Sequence, residues 1–158
     1  MTQAPIKITG YDPAFKQAFH DLNIRWLEEY FTVELAHKRM LDNPERELVA
    51  DGGEVFFAVR GTEVLGTVGV RCAGGGVYEL TKLAVSPAAQ GLGLGRTLCE
   101  SVIEFFCANE GKTLYLETHK KLGPALRLYE SLNFKTIQNP GESHYDGCDL
   151  YMEWQGEV

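Results

Sequence analysis

The segment Gln90-Gly91-Leu92-Gly93-Leu94-Gly95-Arg96 constrains this chain more than any other. It follows an apolar run, Val77 to Val85, that reads as a strand. It precedes a stretch in which Leu94, Leu98, Val102 and Phe105 recur on one helical face. Glycines at this spacing let the backbone turn tightly and keep side chains out of the way. The amide N–H groups then converge on an anion at the helix N-terminus, which is how a backbone holds a phosphate or pyrophosphate. A plain strand-to-helix turn needs fewer glycines, so a phosphate cradle is the expected role.

Competing phosphate loops fit less well. A dinucleotide fold asks for a third glycine where Arg96 stands, three residues after Gly93. A P-loop ends in Gly-Lys-Ser/Thr, and Gly95-Arg96-Thr97 has no lysine.

A chain of 158 residues fits one domain, taken here as 1–158. Lys and Arg total 15 against 22 Asp and Glu, a net charge of −7 that argues against a nucleic-acid partner. No apolar run approaches membrane-spanning length, and Met1 to Pro5 lacks signal-peptide character, so a cytoplasmic protein with no membrane partner is expected. Cys72, Cys99, Cys107 and Cys148 are far apart and no His pair stands beside them. Free thiols are expected, with neither a disulfide framework nor a metal.

Ile6 and Ile8 mark a first strand. Asp12-Pro13 reads as an N-cap with proline at the first helical position, and Phe15, Phe19, Leu22, Trp26 and Tyr30 form the stripe of that helix. Thr32 starts a second helix that Pro44 stops near Asn43. Val55 to Arg60 and Val64 to Val70 form a hairpin across Gly61-Thr62-Glu63, and Gly74-Gly75-Gly76 leads into the Val77–Val85 strand. A helix ends near Gly111, Leu114 and Leu116 lie on the next strand, and Gly123-Pro124 opens a short helix to about Leu132. Asn133 suits a left-handed position after it. Phe134 to Gln138 and Asp149 to Trp154 close the sheet. The order predicts an α/β (α+β) fold, a mixed sheet with helices on both faces.

Three segments together resemble the GCN5-related N-acetyltransferase (GNAT) superfamily over roughly the central half of the chain. Leu80-Thr81-Lys82-Leu83-Ala84-Val85-Ser86-Pro87 is similar to its central strand and the following turn. Gln90 to Gly95 resembles its pyrophosphate loop. Ala125-Leu126-Arg127-Leu128-Tyr129-Glu130-Ser131-Leu132-Asn133-Phe134 is similar to its Ala-x-x-Leu-Tyr-Glu-x-x-Gly-Phe block. Two positions depart from the pattern. Leu122 stands where an asparagine often contacts pantetheine, and Asn133 replaces a glycine whose conformation it can adopt.

The resemblance implies a mostly antiparallel sheet whose two parallel strands splay at a CoA site. It also implies acetyl-CoA as co-substrate and a primary amine as acceptor. The cradle from Gln90 through Gly91, Leu92, Gly93, Leu94 and Gly95 to Arg96 would hold the pyrophosphate. Backbone groups of Leu83, Ala84 and Val85 would pair with the pantetheine arm, and one of their amides would stabilise the oxyanion. Glu79 is the candidate general base, placed by even spacing on the face of Leu83, with solvent exposure or a pair with Lys82 as the alternative. Tyr129 is the candidate acid that protonates the departing thiolate, with simple packing as its alternative.

For the acceptor, Glu28, Glu29, Tyr30 and Phe31 could face an ammonium group from one side, and His119, Tyr145 and Asp146 from the other. His119 is also a rival base. The expected activity is direct attack of an amine of a small metabolite or amino acid on acetyl-CoA in a ternary complex. No cysteine sits in an activating setting that would favour a covalent intermediate. A non-catalytic acyl-CoA sensor and an acetyltransferase for protein amines are the alternatives, and a homodimer is compatible with the family.

Overall fold

In a computed structural model, residues 4–30, 35–140 and 148–156 are described. The elements in chain order are β1 (Ile6–Thr9), α1 (Lys16–Tyr30), α2 (Leu35–Asp42), β2 (Glu54–Arg60), β3 (Glu63–Gly74), β4 (Val77–Val85), α3 (Leu94–Ala108), β5 (Thr113–Thr118), α4 (Gly123–Ser131), β6 (Phe134–Ile137) and β7 (Leu150–Trp154). The seven strands form one sheet in the order β1-β2-β3-β4-β5-β7-β6. Neighbours are antiparallel except β4 and β5, which run parallel, in keeping with the mixed sheet expected.

Local chemistry explains most boundaries. The Asp12 carboxylate accepts the Ala14 amide at 2.9 Å, capping a 3-10 turn (Pro13–Phe15) that runs into α1. Asn133 adopts φ 76° after α4, the left-handed turn anticipated for it. Two features differ from expectation. A π-helical turn (Glu45–Val49), which no local pattern marked, follows Pro44, and its Leu48 is completely buried beneath β2 and β3. Among the described side chains of α1 the buried ones are Phe19, Asn23 and Leu27, whereas Phe15, Leu22 and Trp26 of the expected stripe are only partly buried. Asn23 tolerates burial by donating its side-chain amide to the Phe19 carbonyl at 2.9 Å.

Two cores flank the sheet. On one face α3 and α4 pack Leu94, Leu98, Val102, Phe106 and Tyr129 onto Val68, Val70, Leu80, Leu114, Leu116 and Met152. On the other, α1, α2 and the π turn pack Phe19, Leu27, Leu41 and Leu48 onto Val55, Phe57 and Val59. Each buried side chain of this size contributes about 1.5–3 kcal/mol, so both layers are needed to hold the sheet.

Candidate active site

The parallel pair is where the sheet opens. β4 and β5 pair only at Val77↔Thr113, Tyr78↔Leu114 and Glu79↔Tyr115. Beyond that rung β4 runs on to Val85 and β5 to Thr118 without pairing to each other. β4 stays bonded to β3 along this stretch, with Ala84 opposite Thr67 and Val85 opposite Gly66. Its other backbone edge, at Leu83 to Val85, therefore borders a cleft. An extended chain can add there as a strand.

A bulge shapes that edge. Between the pairs Gly69↔Thr81 and Thr67↔Ala84, β4 uses one residue more than β3, and Lys82 takes φ 58°. This corrects the expectation that Glu79 and Leu83 share a face. The extra residue reverses the alternation, so Ala84 follows Glu79 and Thr81 on the α1 side, while Leu83 packs into the α3 core.

At the mouth of the cleft the glycine run makes the tight turn its spacing implies. Gly91 and Gly93 take φ 88° and 73°, and a side-chain carbon built on either meets nothing within 4 Å. Backbone conformation rather than crowding demands glycine at both positions. Gly93 caps α3, whose first ladder bond runs from the Thr97 amide to the Gly93 carbonyl at 3.2 Å. The amides of Leu94, Gly95 and Arg96 precede that ladder and stand ready for an anion. Leu94, 5% exposed, anchors the loop in the core, whereas Gln90, Gly91, Leu92 and Gly93 are exposed. The Arg96 guanidinium donates to Ser131 Oγ at 2.9 Å, linking α3 to α4.

Glu79 lies at the apex of the cleft and is 1% exposed. Its Oε1 accepts from Arg71 Nε at 2.8 Å. The Arg71 guanidinium also donates to the Tyr115 hydroxyl at 2.7 Å. Burial pushes the Glu79 carboxyl above its ordinary value, and the Arg71 charge opposes that shift. The partner is thus Arg71 on the next strand rather than Lys82, though the Lys82 charge also favours the carboxylate. Burial, then the Glu79 charge, pushes the Tyr115 phenol up to about 12. Tyr115 stacks on Tyr151 with ring centroids 5.2 Å apart, and the Tyr151 hydroxyl donates to Glu153 at 2.9 Å. Strand register puts Glu117 on this same α1-side face, opposite Tyr151.

Tyr129 lies on α4, the helix that follows the open end of β5. It is buried and its ring meets Phe134 edge-on at 6.0 Å. Burial pushes its phenol far above the ordinary value, and neighbouring Cys99 and Cys148 act in the same direction. The hydroxyl therefore keeps its proton across the working pH range, as a hydrogen-bond donor must.

His119 is built into the turn between β5 and α4. Its Nδ1 accepts the Lys121 amide at 3.0 Å, and its Nε2 faces the Asp149 carboxylate at 3.5 Å. The first bond assigns the ring proton to Nε2. Asp149 also accepts the Lys120 amide at 2.9 Å, so the imidazole ties this turn to the start of β7. Glu28 is exposed on α1. Phe31, Tyr145 and Asp146 lie outside the described residues, as do the side chains of Glu29 and Tyr30.

Arg71, Tyr115, Glu117 and Tyr151 belong to the site without any sequence motif to mark them. Arg71 was within reach of local pattern, because a hairpin centred on Gly75 pairs residue 71 with residue 79. The other three needed the long-range order β4-β5-β7, which no local pattern carries.

Comparison with known proteins agrees with this geometry. An uncharacterised N-acetyltransferase of Schizosaccharomyces pombe is 37% identical over 62% of this chain and 61% of its own length. The N-alpha-acetyltransferase RimI of Mycobacterium tuberculosis is 32% identical over 58% of each chain. The chain thus spans about three fifths of the length of these relatives. Among solved structures, a GNAT-family acetyltransferase from Staphylococcus aureus superposes with a TM-score of 0.86 at 19% identity, covering 95% of this chain and 98% of that one. A putative acetyltransferase from Salmonella typhimurium, solved with its cofactor acetyl-CoA, superposes with a TM-score of 0.76 at 20% identity, covering 95% and 93%. At such identities the structures establish the fold. The family model "Acetyltransferase (GNAT) family" matches residues 19–134, which takes in β4, the glycine loop and α4, and the chain belongs to that family.

Proposed function

We propose that this chain is an acetyl-CoA-dependent N-acetyltransferase that acts on a primary amine of a small metabolite or amino acid. The observation that carries the reading is the cleft itself, an unpaired β4 edge leading from the α3 N-terminus to a buried carboxylate. The loop amides and the helix dipole suit a pyrophosphate, and the Leu83–Val85 edge suits the amide groups of pantetheine. Among the described residues no group of His, Cys, Asp and Glu could hold a metal ion.

The chemistry follows from placing a thioester near the apex. The amine nitrogen forms a bond to the thioester carbonyl carbon, and the carbonyl oxygen becomes an oxyanion held by an amide of the Leu83–Val85 edge. The C–S bond then breaks. The proton lost by the amine goes to Glu79, whose Oε1 is the oxygen engaged by Arg71. The departing thiolate accepts a hydrogen bond from the Tyr129 hydroxyl, which keeps its proton. Raised proton affinity suits Glu79 to this task, because a base near the working pH is the most effective. The acceptor approaches from the α1 side, over Tyr115, Tyr151 and Glu117, where aromatic faces and carboxylates suit an ammonium group.

A second reading, transfer to a protein N-terminus, is favoured by the RimI relative. One screen separates them. Thiol release from acetyl-CoA is followed across small amines, amino acids and peptides. Release with small amines or amino acids supports the first reading, and release with peptides alone supports the second. Acetyl-CoA binding with no release from any amine contradicts both and identifies a sensor.

A further inference from the structure

The sheet parts after the Glu79↔Tyr115 rung, and one side chain bridges the three strands that meet there. Arg71 lies on β3 opposite Glu79, and Glu79 pairs with Tyr115 across the last β4–β5 contact. The Arg71 guanidinium uses Nε for Glu79 at 2.8 Å and a terminal nitrogen for the Tyr115 hydroxyl at 2.7 Å. Glu79 and Tyr115 are 1% and 6% exposed, so both acceptors are buried, while the Arg71 side chain is 24% exposed. Three residues beyond Glu79, the Lys82 bulge turns β4 away from the regular ladder. On the far side Tyr115 is backed by Tyr151 of β7.

This arrangement is more than one ion pair. A guanidinium is planar and its donors hold a fixed fork, so its two bonds constrain the spacing and the angle of the strands that carry them. Removing either acceptor leaves the other strand free to shift. Where the strands begin to part decides how deep a cleft ligand can reach. The loop amides lie at the opposite end of the cleft and do not depend on that point.

We propose that Arg71 is a positioning residue that, through Glu79 and Tyr115, fixes the apex of the β4–β5 cleft and thereby the seat of the acyl end of the donor. The inference rests on the cleft being the acetyl-CoA site. It assigns Arg71 no contact with the reacting atoms.

The test is a double-mutant cycle of Arg71→Lys, Tyr115→Phe and the two together, checked for folding by thermal melts. Lysine keeps the charge beside Glu79 but loses the fork, and phenylalanine removes only the hydroxyl. Acetyl-CoA affinity is measured by calorimetry, and ADP, which carries a pyrophosphate but no pantetheine arm, is titrated by NMR. Each single change should weaken acetyl-CoA about fivefold, the scale of one lost hydrogen bond. The pair should be no weaker than the worse single variant, because both break the same bridge. ADP affinity should stay at the wild-type value throughout, whereas a merely structural lesion moves it in step with acetyl-CoA. Unchanged acetyl-CoA affinity, losses that multiply, or an equal loss for ADP overturn the proposal. If Arg71→Lys fails to fold, Tyr115→Phe decides on its two affinities. Absence of acetyl-CoA binding by the unaltered protein overturns the donor reading and this inference with it, whereas binding indifferent to the variants overturns the inference alone.

Discussion

The two faces of the sheet meet at the β4–β5 cleft and are built from different materials. On the α3 face, Leu80, Leu94, Leu98, Val102 and Leu114 make an apolar layer, and the groups proposed to bind an anion at its rim are backbone amides. On the α1 face the same sheet carries the buried Glu79 and Tyr115, joined at the apex by the partly buried Arg71. The first face can bind a donor with almost no functional side chain. The second takes charge out of water, and a buried carboxylate and guanidinium seldom stabilise a fold more than apolar residues of the same volume. Charge held there against that penalty marks the side where proton transfer is proposed.

This difference predicts that damage to Glu79 on one face and to the glycine loop at the rim of the other separates chemistry from binding. The largest effect falls on the α1 face. Glu79→Gln should lower kcat by about 10² to 10⁴ while acetyl-CoA still binds, the range for losing a general base. Its carboxyl is shifted upward by burial, so the folded protein keeps the proton to a higher pH than a free glutamate does. Activity should therefore rise with pH along an acidic limb whose midpoint lies above the ordinary glutamate value, and the Gln variant should lack that limb. Stability runs the other way. The folded state holds the proton more tightly than the unfolded chain, so stability falls as pH climbs from the ordinary value through the raised one. Thermal melts of the Gln variant should not show that fall. A limb that survives the substitution hands the base to another group.

Next comes the rim of the α3 face. Gly93→Val forces a β-branched residue to φ 73°, where strain costs about 1–3 kcal/mol and the amides lose their aim. Acetyl-CoA affinity should drop about a hundredfold in calorimetry, the scale of losing one or two hydrogen bonds to a charged group. Unchanged affinity would show that the loop is no cradle. A smaller effect is expected at Tyr129→Phe, with kcat down about tenfold, the scale of one lost hydrogen bond to a charged group, and acetyl-CoA affinity preserved, since the ring continues to pack on Phe134. Full activity there leaves Tyr129 a packing residue.

The same contrast explains how much of the molecule is legible in its amino-acid sequence. The donor face rests on local pattern: glycines at left-handed positions, a helical stripe, Asn133 after α4. Each is a short-range consequence of backbone sterics. The parity linking Glu79 to Leu83 fails because a bulge at Lys82 inserts one residue, and neither neighbour announces it. The polar network stays hidden for a different reason. Arg71 and Glu79 face each other within one hairpin, but Tyr115 and Tyr151 come from strands that only the sheet order brings beside them. His119 is legible as a residue type but not as part of a turn closed by Asp149.

The most direct test of the donor site is an NMR titration of acetyl-CoA into amide-labelled protein. A donor seated in the cleft perturbs the Leu83–Val85 and Gly91–Arg96 amides and leaves β1 and the β1-facing edge of β2 unmoved. Binding that leaves both segments untouched, or that perturbs β1 and β2 instead, contradicts the assignment.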